Sequence, residues 1–303
     1  MPAAATARDA RRALLARLID HAALFPPASL PMQAALAEDA RARASGESWL
    51  LGRFLCPASR LHELPAGTEL PLAVVMDGAS AAPPAEWLGA VDAEAGRIEA
   101  SDAERVELLE LRLPSHEPEP DLVAAVAARL SSPSVRLFLE VPLGRDWQRS
   151  LPAAVAAVAA AGAGAKLRCG GLAPEAFPSP AQVALFIHAC RGEGVAFKAT
   201  AGLHHPVRHV DPTTGFTRHG FLNLLAAAVF AHARDLDVDD LTALLAEERP
   251  ERFRVTSDAL VVDGLTAGPD EIAGARRELF VGYGSCSFTE PVDDLRALGL
   301  LAA

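Results

Sequence analysis

Lysine is almost missing from this chain. Of its 28 lysines and arginines only Lys166 and Lys198 are lysine, so arginine carries the surface positive charge. Aromatic residues make up 5% of the 303 positions against 50% hydrophobic residues overall, so a large core must be built mainly from Ala, Leu and Val. The four cysteines, Cys56, Cys169, Cys190 and Cys286, form no C-x-x-C pair. That argues against a disulfide framework or zinc knuckle and makes a reducing, cytoplasmic setting the expectation. A basic face is lacking too: the formal net charge is −11, and no nucleic-acid partner is expected. No stretch reaches the ~18 charge-free apolar residues of a membrane span, and the Ala-rich segment 152–165 is too short. The opening MPAAATARDARRALLARLIDHAALF is broken by Asp9 and Asp20, so it reads as an amphipathic helix and not as a signal peptide.

The two lysines lie in short apolar runs just before a glycine, AKLRCGG and AFKATAG. Between them PAQVALFIHACR (180–191) has apolar residues at helical spacing. The pattern is strand–helix–strand, with a lysine near the carboxyl end of each strand. Arginine stays protonated in proteins, whereas a desolvated lysine can shed its proton and act as nucleophile or base. The plainer alternative is two lysines held in salt bridges, since structural networks perturb ionisation as well.

Apolar runs at 18–22, 50–56, 71–76, 106–112, 135–141, 164–169, 195–200 and 279–284 read as strands, with helical patterns between most of them. Such alternation implies a parallel sheet. Eight units close into a (β/α)8 barrel, whose reactive groups sit at the carboxyl ends of the strands. The first run is weak, so an open doubly wound sheet is the alternative. No composition shift marks a linker, and one domain over 1–303 is expected, with 203–278 as an enlarged loop and helical insertion near the barrel mouth.

At strand ends this arrangement collects Glu110, Arg112, Glu140, Lys166, Arg168 and Lys198. Charges in a nearly closed barrel mouth are costly unless paired, so they should neutralise one another or shift in pKa. Two neighbouring lysines disfavour double protonation, which leaves one amine free to attack a carbonyl. A buried ion-pair network that only stabilises the barrel is the rival reading. Gly282 to Ser287 (GYGSCS) closes the last strand before a helix, a common place for a phosphate.

The order of these pieces resembles the deoxyribose-phosphate aldolase family, lysine aldolases on a (β/α)8 barrel. LIDHAALFPPAS is similar to its I-D-H-T-L-L-x-P-x-A-T opening, and FLCPASR to its C-V-x-P strand end. LELRLP resembles V-D-V-V-x-P and puts Glu110 on the catalytic aspartate. LFLEV resembles V-I-I-E-T and puts Glu140 on the family glutamate. VAFKATAGLHHPVR resembles G-F-K-P-A-G-G-V-R and puts Lys198 on the second family lysine. GYGSCSFTEPVDDL is similar to the phosphate-binding ending G-A-S-S-L-L-x-D-L.

The departures from that pattern are informative. Aligned without gaps on AGAGAKLRCGG, the Schiff-base lysine of A-G-A-D-F-I-K-T-S-T-G falls on Leu167, one residue after Lys166. A one-residue slip turns a side chain to the opposite face of a strand. Either a bulge brings Lys166 inside, or Lys166 and Arg168 both point inward and the chemistry differs. Ala22 replaces the threonine after I-D-H, and Leu203-His204-His205 replaces the second phosphate-loop glycine region. The substrate is therefore expected to differ from the family's own.

The resemblance implies an aldolase-like carbon–carbon lyase acting on a small carbonyl compound, phosphorylated or not. Lys198 and Lys166 would be the amines and Glu110 the proton carrier. Asp20, Arg112, Glu140, Arg168, Gly202, His204, Gly284, Ser285, Cys286 and Ser287 would bind substrate. No cofactor and no metal are expected: His204, His205, His209, Asp211 and His219 crowd one loop, yet without H-x-H or H-E-x-x-H spacing. A homo-oligomer stays open. Two rivals remain: a lyase or isomerase using lysine and glutamate without an imine, and a non-catalytic barrel that binds a metabolite or partner.

Overall fold

The structure, a computed structural model, describes residues 9–101, 103, 105–171 and 173–301. Eight strands form a closed barrel: β1 (Ile19–His21), β2 (Leu51–Pro57), β3 (Leu72–Val75), β4 (Val106–Arg112), β5 (Arg136–Glu140), β6 (Gly164–Arg168), β7 (Phe197–Thr200) and β8 (Phe280–Ser285). The order β1-β8-β7-β6-β5-β4-β3-β2 returns to its start, and every neighbouring pair is parallel. Each of the eight expected apolar runs carries one of these strands. The short β1 is the decisive one, because it pairs with both β8 and β2. Those pairings close the sheet and rule out the open doubly wound alternative.

A strand turns alternate side chains to opposite faces, and here both faces are covered. Outward residues, among them Phe54, Leu109, Leu111, Leu137, Leu139, Ala165, Leu167 and Ala199, join the core under the helices. Inward residues Ala22, Leu55, Ala73, Leu108 and Phe138 form a separate apolar cluster inside the barrel. The core relies on small aliphatics, as the scarcity of aromatics requires.

Helices follow the strands at Met32–Ala44, Trp87–Glu99, Pro120–Leu130, Trp147–Ala160, Pro180–Gly192 and Thr289–Ala297. Pro180–Gly192, which links the two lysine strands, begins with a capping box between Ser179 and Gln182 and has Pro180 in its first turn. The opening helix appears as Ala10–Leu15, and the part of it expected in residues 1–8 lies outside the described residues.

The stretch 203–278 divides in two. Its first part, through a small ladder between His209–Val210 and Thr217–Arg218, stays at the carboxyl end of the strands. There His204 and His205 pair with Glu290 and Asp294, which follow β8. The next segment, helix Phe221–Ala233, lies on the outer wall, with Phe221 stacked on outward-facing Tyr283. A three-stranded sheet (Arg254–Val255, Leu260–Val262 and Leu265–Ala267) then reaches the amino end, where Ser257 O accepts from Ala10 N–H. The later part of the stretch therefore lies away from the barrel mouth.

Candidate active site

The inward positions at the carboxyl half of the barrel carry charge. Asp20, Glu110, Glu140, Lys166 and Lys198 are each between 1 and 4% exposed. Glu140, Lys166 and Lys198 stand side by side on β5, β6 and β7, because the register pairs Glu140 with Lys166 and Lys166 with Lys198. No register shift interrupts β6 on either side. Lys166 and Arg168 therefore both reach Glu140 from inside, while Leu167 turns outward into the helix-facing core. The one-residue slip is thus met by the strand's own alternation and not by a bulge.

The charges form one alternating chain. Lys198 Nζ donates to Asp20 Oδ2 at 2.5 Å and to Glu110 Oε1 at 2.6 Å. Glu110 Oε2 lies 2.8 Å from Lys166 Nζ, and Lys166 Nζ lies 3.1 Å from Glu140 Oε2. Glu140 Oε1 then meets half-exposed Arg168 at 3.1 Å and Arg112 at 3.6 Å. At the other end, Arg53 Nη1 lies 3.6 Å from Asp20 Oδ1. Two buried ammonium groups thus face three buried carboxylates, and arginines at both ends offset the remaining negative charge.

The two lysines are held differently. Both contacts of Lys198 are hydrogen bonds. Lys166 meets its carboxylates as ion pairs, and Glu110 Oε2 has no partner in hydrogen-bond alignment. Burial pulls the Lys166 pKa down, but Glu110 and Glu140 outweigh it and leave it raised above 10.5. Burial pushes the Glu110 carboxyl up, yet Lys166 and Lys198 bring it down from 4.5 to about 2. Glu140 is likewise lowered, against its own burial, by Lys166 and Arg168. In this resting arrangement opposite charge wins over desolvation.

Asp20 owes its position to an irregularity in β2. The register slips between Ile19 and His21, so Gly52 and Arg53 together oppose Asp20. The Arg53 N–H donates to Asp20 Oδ1 at 2.7 Å. A Cβ at Gly52 would collide with that same oxygen, so only glycine leaves room for the carboxylate. Arg53 was missed in the sequence; the signal available was an arginine after glycine inside the apolar run WLLGRFLCP.

Loops converge above this cluster. Gly170 after β6 and Gly202 after β7 approach so closely that a Cβ on Gly170 would lie 2.9 Å from the Gly202 Cα and from the Phe177 ring. Gly202 also has φ +74°, the left-handed region that glycine adopts without strain. From the β1 side, Phe25 packs on the inward apolar cluster.

The remaining expected site residues lie apart from the lysines. His204, Cys286 and Ser287 line a cavity of about 400 Å³ together with His205, Asp211, Arg218 and Glu290. His204 Nδ1 lies 2.9 Å from Glu290 Oε2, and its Nε2 is 3.8 Å from Cys286 Sγ. Ser285 is buried and donates to Ser287 O at 2.7 Å, while Ser287 N–H reaches back to Ser285 Oγ at 3.4 Å. Ser287 Oγ accepts from Glu290 N–H at 3.2 Å. The turn therefore satisfies part of its own hydrogen bonding, and the Glu290 carboxylate shares the cavity with it. Gly284 faces Leu55 and Thr200 inside the barrel.

The other loop histidines have protein partners. His205 pairs with Asp294 at 2.6 Å, and Asp211 with Arg218 at 2.8 Å. His209 Nδ1 lies 3.0 Å from Val207 O. Buried His219 reaches Pro178 O at 2.6 Å, and burial brings its pKa down to about 4. Among the described residues no group of three or more His, Cys, Asp or Glu side chains could hold a metal ion. No helix among them is long and apolar enough to cross a membrane.

No family model matches the chain, and no curated protein matches it by sequence. Among solved structures it is similar to one described as the unique tetrameric structure of deoxyribose phosphate aldolase from Aeropyrum pernix. The two chains are 15% identical with a TM-score of 0.47, over 65% of this chain and 80% of the other. At that distance the likeness carries nothing about activity.

Proposed function

We propose that the chain is an aldolase-type carbon–carbon lyase that acts on a small carbonyl compound through a lysine imine. The observation that carries this reading is Glu110 shared between two buried ammonium groups, at 2.6 Å from one and 2.8 Å from the other. Lys166 is the amine that attacks. It is the less tightly aligned of the two, and its neighbours Arg168 and Arg112 are half-exposed at the rim. Lys198 is fixed beside it by its hydrogen bonds to Asp20 and Glu110.

The steps follow from these positions. Glu110 accepts the proton that Lys166 must lose before its nitrogen adds to the substrate carbonyl. Loss of water then leaves the iminium. The iminium draws electrons from the bond between its α carbon and the hydroxyl-bearing β carbon, and as that bond breaks the β hydroxyl proton passes to a carboxylate, directly or through water. Hydrolysis of the resulting enamine and imine returns the amine. Arg168 and Arg112 give the rim two guanidinium groups suited to an anionic substituent on the substrate.

A second reading draws on one specific observation. The raised pKa of Lys166 suits a lysine that remains charged and polarises a carbonyl, with Glu110 as base and no covalent step. Borohydride separates the two readings. The chain is incubated with short aldehydes and ketones, with and without a phosphate group, and reduced. An irreversible mass gain equal to the reduced adduct supports the imine. Turnover of a substrate without any trapped adduct supports the acid–base reading.

A further inference from the structure

At the opposite end of the barrel lies a cavity of about 570 Å³. Its position follows from its lining: Arg136 is the first residue of β5, Val281 the second of β8, and Arg17 precedes β1. Among the described residues six arginines line it, Arg12, Arg17, Arg53, Arg136, Arg276 and Arg277, against one acid, Asp9. Asp9 is itself engaged in capping the first helix. In a chain of net charge −11 this is a concentration of positive charge that the described carboxylates near it, Glu107, Asp20 and Glu278, balance only in part.

The imbalance is visible group by group. Glu107 offsets Arg17 at 3.0 Å and Arg53 at 2.9 Å. Arg136 has no carboxylate within salt-bridge distance among the described residues, and its guanidinium lies over the Phe138 ring at 5.1 Å. Burial and the neighbouring Arg53 both lower its pKa. Arg12 likewise stacks on Trp49, 4.9 Å from the ring centre, without an acid partner among the described residues. Arg276 spends two donors on the Phe280 and Ala16 carbonyls, at 2.8 and 3.1 Å, while its buried Nε has no partner among the described residues. Guanidinium groups crowded together and only partly neutralised are what a multiply charged anion would stabilise, through forked hydrogen bonds to its oxygens.

We propose that this cavity binds a ligand carrying a di- or triphosphate group, at a site separate from the lysines. Its volume lies within the range of small-molecule sites. Arg53 belongs to both ends of the barrel. It lines the cavity and also lies 3.6 Å from Asp20, whose other oxygen holds Lys198. An anion drawn to Arg53 would therefore be felt at the buried lysine.

The test is calorimetric titration of the full chain with inorganic pyrophosphate and tripolyphosphate. Saturable binding of one anion per chain is expected, weakening as salt is added. Arg136→Gln should weaken it at least about tenfold, the scale of losing hydrogen bonds to a charged group. Arg277→Gln alters a side chain that is 61% exposed, so it keeps the fold intact and should weaken binding in the same direction. Arg168→Gln, at the other end of the barrel, should leave the affinity within about twofold. Absence of saturable binding would overturn the proposal. So would unchanged affinity in both the Arg136→Gln and Arg277→Gln proteins, or a loss produced by Arg168→Gln instead.

Discussion

Replacing Glu110 with Gln keeps the shape of the side chain and removes the one charge that both lysines share. The structure sets the size of the effect. The carboxyl falls from 4.5 to about 2 in the folded chain, and at 1.36 kcal/mol per pKa unit that is about 3 kcal/mol of stabilisation at neutral pH. A second route agrees in scale: breaking a buried ion pair by removing one partner costs about 3–5 kcal/mol, because a charge is left uncompensated. For a chain of this size about 1.6 °C of melting temperature goes with each kcal/mol. Thermal unfolding followed by circular dichroism at pH 7 should therefore show the Glu110→Gln melting point lower by about 5 °C. The double variant Glu110→Gln/Lys166→Met should recover part of that loss, since it removes one stranded ammonium. A single variant that melts within about 1 °C of the parent would refute the reasoning, because it would mean that the shared carboxylate is not holding the buried charges.

Three further outcomes follow from the same geometry. Glu110 has a folded pKa below its unfolded value, so its contribution is present above about pH 4.3 and lost as pH falls towards 2. Lys166 has a folded pKa raised above its unfolded value, so its contribution is present below about pH 10.4 and lost as pH rises through the raised value. Urea titrations at pH 3, 5, 8 and 11 should show a plateau in the middle and losses at both ends; a steady rise across the series would contradict it. Changing Gly52 to Ala drives a Cβ into Asp20 Oδ1 and should destabilise by about 1–3 kcal/mol, read as a lower urea midpoint. An unchanged midpoint would show that Asp20 can relocate. Lys198→Arg keeps the charge but removes the compact ammonium that fits between Asp20 and Glu110, and should lower turnover of any substrate found by ~10²-fold or more. Full turnover in that protein would leave a structural ion-pair network as the better account.

The barrel was legible because parallel strands buried on both faces read as apolar runs, and eight of them recur between helical patterns. β1 was the weakest run, and its three residues, Ile19–His21, are recognised as a strand only through pairing on both sides. The lysines stood out through rarity and through their matching placement in an apolar run just before a glycine. Which way Lys166 points could not be read from spacing, since counting against the family motif put Leu167 in its place. Inward or outward is decided by the register of β5, β6 and β7, a property of three strands together. Arg53 was hidden for a related reason, because its contact with Asp20 depends on a bulge between β1 and β2. The helix Phe221–Ala233 read as part of an insertion because its loop is long; only its packing on Tyr283 shows it to be part of the barrel wall.

The central claim is that Lys166 forms a covalent imine beside a fixed Lys198. Its most direct test is peptide mapping of the borohydride-reduced protein after incubation with the carbonyl panel. The account predicts the reduced adduct on the peptide that contains Lys166, with Lys198 unmodified and with no adduct in the Lys166→Arg protein. An adduct confined to Lys198, or one that persists undiminished in Lys166→Arg, would contradict it.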